Sequence, residues 1–151
     1  MTAPRTTDPD VARASGRGGR GLEIVLIVVY AIFALSATAR SLVQVLTKFD
    51  HAPVAYSLSL LAAATYIAVT VALVRGGRRS SVARALVVLE LLGVLVVGTL
   101  TVVDPALFPE ATVWSVFGQG YGYVPLVLPV LALVYMLLGG RRGPSARGTV
   151  S

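Results

Sequence analysis

The chemistry this chain could carry rests on a few polar side chains set inside long apolar runs. Glu90 is the most telling, an acid about eight residues into one such run, or roughly 12 Å along a helix rising 1.5 Å per residue. A carboxyl group in hydrocarbon is costly, so Glu90 is expected to face protein and either keep its proton or accept hydrogen bonds. Tyr30 and Tyr66 fall at similar depth on two other runs, and Tyr135 on a fourth somewhat nearer the inner edge; each offers a hydroxyl. Such an acid can carry protons or cations. It can equally pin helices together through hydrogen bonds worth about 1 kcal/mol.

A second polar set lies on the first run, where Ser36, Arg40, Gln44 and Lys48 recur every four residues and so form one stripe of a helix. Arg40 stands about 18 residues beyond Leu22, near the outer boundary, where its guanidinium can snorkel to water. Asp104, at the end of the third run, has a comparable level and is the expected partner of Arg40. With Gln44, Ser57 and Ser59 they would make a polar pocket at the outer face; a structural ion pair is the simpler reading. Ala64, Ala68 and Ala72 form a small-residue seam, the usual sign of close helix packing.

Other chemistry finds little material. The chain has no cysteine, which excludes disulfides, thiol redox chemistry and thiolate metal sites, and its one histidine, His51, leaves little for any metal. No metal-ligand spacing, nucleophile–base pair or phosphate-binding loop is present, and Gly118-Gln119-Gly120 lacks a strand–turn–helix setting. No catalytic residue, cofactor or metal is therefore expected.

The elements that must position these residues are four apolar runs, residues 22–46, 54–74, 82–103 and 121–139. Each is near the ~20 residues that cross a bilayer as a helix. With 56% hydrophobic and only 13% charged residues, against about 25% charged in soluble domains, the chain reads as an all-α, four-helix transmembrane bundle. Its net charge of +6 does not point to nucleic acid, because the basic residues flank the runs. Arg5, Arg13, Arg17, Arg20, Arg75, Arg78, Arg79, Arg84, Arg141, Arg142 and Arg147 fall on one side; Arg40 and Lys48 fall on the other. Basic short loops stay cytoplasmic, so both termini are expected inside a plasma membrane.

The leader and the Ala37-Thr38-Ala39 triplet resemble a secretory signal, but the helix runs two turns past them, and the uncleaved four-span reading is preferred. Residues 1–21 and 143–151, rich in Gly, Arg, Thr and Ser, are expected to be disordered tails. Ser80 or Ser81 should cap the third helix and Pro53 should open the second. In the second outer loop, Pro109 and Glu110 read as the start of a short interfacial helix. Trp114, Tyr121 and Tyr123 would be its headgroup-level anchors. Gly118, Gly120 and Gly122 permit a sharp return into the fourth run, where Pro125 and Pro129 should kink the outer half.

Several stretches carry a resemblance. They are residues 30–35 with Ala39-Arg40-Ser41, residues 48–56, Glu90-Leu91-Leu92-Gly93-Val94, Asp104-Pro105, Ala111-Thr112-Val113-Trp114-Ser115 and residues 120–126. Together they resemble a family of small four-span integral membrane proteins of actinobacteria, over residues 23–138. The resemblance implies a plasma-membrane protein and transfers no activity or site. Two function classes stay open: a non-catalytic accessory or scaffold protein, whose expected partners are the bilayer and either another membrane protein or a second copy, and a small permease or proton-coupled carrier using Glu90.

Overall fold

The computed structural model describes residues 9–140, with side chains placed for residues 19–138. Its helices are α1 (Pro9–Lys48), α2 (Pro53–Gly76), α3 (Ser81–Val103) and α4 (Val124–Gly140). Short 3-10 segments lie at Phe49–His51, Gly77–Arg79, Pro105–Leu107 and Ser115–Tyr121. Among the described residues there is no strand.

Three helices, α1 to α3, are each long and apolar enough to cross a membrane. The fourth crossing exists only as a bent pair, in which Ser115–Tyr121 and Val124–Leu138 meet at 100°. The 17 residues of α4 rise about 25 Å, short of the ~30 Å of hydrocarbon. The expected fourth span over residues 121–139 is thus present only if this bent pair is one crossing, and its bend precedes the prolines expected to kink it. The break sits at Gly122 and Tyr123, both left-handed with φ of 62° and 61°. Pro125 falls in the first turn of α4, where its missing N–H leaves no bond unmade, and only Pro129 lies inside the helix.

Local signals fix the other ends. Pro53 occupies the first turn of α2. The Ser80 hydroxyl oxygen accepts from the Ala83 amide at 3.1 Å and caps α3, whose end at Asp104 is closed by that residue's N–H on the Leu100 carbonyl. The start of α1 differs from the expected irregular leader, since the helix runs back to Pro9. The Tyr135 hydroxyl, set against the Gly19 carbonyl at 2.9 Å and Glu23 at 2.8 Å, holds α1 to α4 just below the apolar run. Residues 1–8 and the expected tail 143–151 lie outside the described residues.

Helices pack with their neighbours in the chain, α1 on α2, α2 on α3 and α3 on α4. Buried positions recur at helical spacing: Leu26, Tyr30, Ala34 and Ala37 on α1; Ala83, Val87, Glu90, Val94 and Val97 on α3. The opposite faces present Leu35, Leu46, Val74 and Val103 outward, which suits hydrocarbon rather than water. Threonines on these helices return their hydroxyls to their own backbone, as Thr99 does to Leu95 and Thr47 to Val43, so they need no outside partner.

Candidate functional site

The spacing that puts Val87 and Val94 inward on α3 also puts Glu90 inward, and its residue exposure is 0%. Tyr30 from α1 donates its hydroxyl to Glu90 Oε2 at 2.8 Å. Among the described residues Oε1 has no partner. Tyr66 from α2 lies beside them, its ring centroid 6.3 Å from that of Tyr30 and 5.7 Å from Phe33. Its hydroxyl accepts from Trp114 Nε1 at 3.1 Å. Of the three expected tyrosines, Tyr30 bonds the acid and Tyr66 packs beside Tyr30.

Trp114 is the main departure from expectation. It is 3% exposed and reaches the bundle centre, so it is no headgroup-level anchor. Nor does an interfacial helix start at Pro109; residues 112–118 fold inward against α3. The reason is on α3, where two glycines leave the backbone bare. A Cβ at Gly93 would stand 2.6 Å from Trp114 Cζ3, and one at Gly98 would stand 2.5 Å from Phe117 Cδ1. The segment is tied in by polar bonds. Thr112 Oγ1 accepts from the Trp114 amide, Ser115 Oγ from the Thr112 amide, and Thr101 Oγ1 from the Val116 amide at 2.8 Å.

Seating the segment requires an unusual backbone. Val116, Phe117 and Gly118 have φ of 48°, 60° and 83°. For Val and Phe this region costs about 1–3 kcal/mol each, so packing of Trp114 and Phe117 must over-determine it. Gly93 and Gly98 were the sequence signal for this arrangement, and Gly118 and Gly122, but not Gly120, take the positive φ that glycine favours.

The remaining expected residues are distributed elsewhere. Tyr135 does not join Glu90; it sits at the Arg-bearing end of the bundle with Glu23, an acid that no spacing along the chain singles out. Glu23 Oε1 lies 2.7 Å from where a Gly77 Cβ would stand, so the α2–α3 turn closes over it.

At the far end Arg40 does not pair with Asp104. Its Nη1 donates to the Tyr121 hydroxyl at 2.7 Å, its Nη2 to the Ala111 carbonyl at 3.2 Å, and its guanidinium stands 5.9 Å from the Tyr121 ring centroid. The inward fold of residues 111–121 delivers these partners, while Asp104 stays exposed at the end of α3. Tyr121 therefore acts as a tie between α1 and the loop rather than as an anchor. Tyr123, 45% exposed, keeps a position open to the surroundings. Nor is Gln44 paired with Asp104: among the described residues its buried Oε1 has no partner, and neither do the buried hydroxyls of Ser41, Tyr56 and Ser59. Ser41 and Gln44 lie on α1 and Tyr56 and Ser59 on α2, and of the four only Gln44 and Ser59 belonged to the outer pocket expected from sequence.

Chemically the centre offers one carboxyl group that can hold or release a proton, and the only hydrogen bond to it among the described residues comes from the Tyr30 hydroxyl. Among the described residues no group of three His, Cys, Asp or Glu side chains could hold a metal. Comparison of the chain with protein families, curated proteins and solved structures gives no match.

Proposed function

We propose that this chain is a multi-pass plasma-membrane protein with a non-catalytic accessory or scaffold role, both termini lying in the cytoplasm. The orientation follows from the sorting of arginine to the tails and the α2–α3 turn. Partners on this reading are the bilayer and a second membrane protein or another copy of the chain. The observation that carries the role is the enclosure of Glu90: an acid with no exposure, bonded to Tyr30, on a helix whose Gly93 packs against the inward-folded Trp114. A neutral Glu90 then serves as a hydrogen-bonding rivet between α1 and α3. Co-purification in mild detergent tests the role, with a stoichiometric membrane partner as the expected result. Reporter fusions after Gly77 and Gly143 should read cytoplasmic and one after Ala106 external; the reverse pattern would overturn the orientation.

A second reading, a proton-coupled carrier, is favoured by one observation, the unpartnered Oε1 of Glu90. Glu90→Gln separates the two. A rivet tolerates the amide, which still donates and accepts, whereas a carrier loses transport because the amide cannot exchange a proton. Proton flux in vesicles that is present in wild type and absent in Glu90→Gln would sink the accessory reading.

A further inference from the structure

The small-residue seam of α2 is not packed as its pattern suggests. Ala64 is exposed and Ala68 half-buried, and Ala72, of low exposure, still borders open space. Over Ala68 and Ala72 lies an open groove of about 530 Å³ between α2 and α3, walled by apolar side chains including Val71 and Leu86. It ends in polar chemistry, at Arg75 and Ser80.

Arg75 is exposed, and among the described residues no carboxylate pairs with it. Arg78, Arg79 and Arg84 follow on the adjoining turn and helix start. The acid at this end, Glu23, is engaged by Tyr135. Ser80 Oγ uses a lone pair on the Ala83 amide, which leaves its O–H to donate.

An apolar trough on a hydrocarbon-facing surface, closed at one end by unpaired positive charge, matches a molecule with a long chain and an anionic head. We propose that this groove binds one anionic phospholipid, an acyl chain lying over Ala68 and Ala72 and the phosphate held by Arg75. Basic pockets between membrane helices hold such headgroups by the same attraction. Charge argues against a second copy as the occupant, because two grooves face to face would set Arg75, Arg78 and Arg79 of one chain against those of the other.

Native mass spectrometry of the full-length chain, released from mild detergent after titration with phosphatidylglycerol or phosphatidylcholine, tests the assignment. Wild type should retain one phosphatidylglycerol in preference to phosphatidylcholine. Arg75→Gln should weaken that retention roughly fivefold or more, the effect of about 1 kcal/mol per basic side chain near an anionic headgroup. Ala68→Leu, which fills the groove and keeps every arginine, should abolish it; Val71→Phe fills the same space from the wall should Ala68→Leu fold poorly. Retention unchanged in a folded filling variant would overturn the proposal, leaving surface charge alone as the attraction. Equal retention of the two lipids by wild type would overturn the anionic specificity. A wild-type dimer that Ala68→Leu converts to monomer would assign the groove to a second copy instead.

Discussion

Two tracks of small residues run through this bundle and meet opposite fates. On α3, Gly93 and Gly98 receive Trp114 and Phe117 from the chain's own loop, at distances that leave no room for a methyl group. On α2, Ala64, Ala68 and Ala72 receive nothing from the chain over most of their length, and a groove remains. The comparison shows that small residues announce close approach without saying what approaches. In lipid, where apolar surface gains nothing from leaving the solvent, association depends on packing and hydrogen bonds. The α3 track has both: aromatic rings that fit, and donors from Trp114 and Val116 that find Tyr66 and Thr101.

The sharpest way to break this contrast is to remove the filler. Trp114→Ala leaves a cavity at the bundle centre and should destabilise the detergent-solubilised protein by about 3–5 kcal/mol. Denaturant titration followed by helical circular dichroism would read it, and a loss under about 1 kcal/mol would mean that Trp114 is not seated in the core.

Next in size are enlargements of one side chain on each track. Gly98→Ala collides with Phe117 and should cost about 1–3 kcal/mol. Ala68→Leu grows into open space and should stay within about 0.5 kcal/mol of wild type in the same titration. Equal costs would erase the distinction between a filled and an open track.

The smallest expected effect concerns how the inward loop redirects Arg40. A double-mutant cycle of Arg40→Ala with Asp104→Ala should be additive within about 0.5 kcal/mol, because the two do not touch. The cycle of Arg40→Ala with Tyr121→Phe should show coupling beyond that margin, since Nη1 donates to the removed hydroxyl at 2.7 Å. Coupling in the first cycle and none in the second would restore the simple ion pair suggested by depth alone.

Sequence by itself determined the helical class, the apolar runs of α1 to α3, a serine cap at Ser80 or Ser81, the start at Pro53 and the stop at Asp104. It also brought Tyr30 level with Glu90, because depth along a helix is one-dimensional and follows from a 1.5 Å rise per residue. Rotation about each axis, the identity of the neighbouring helix and the path of a long connection are not one-dimensional, and here only the tertiary structure decided. Tyr135 has a suitable depth, yet α4 turns it to Glu23. Arg40 and Asp104 share a level, yet residues 111–121 supply other partners to the arginine. Trp114 looks interfacial by type, yet bare backbone at Gly93 and an acceptor on Tyr66 give its ring and its N–H a better place inside. A polar group in the membrane goes to whichever partner three-dimensional packing brings within hydrogen-bonding reach, and residue spacing along one helix cannot name a partner that another segment carries in.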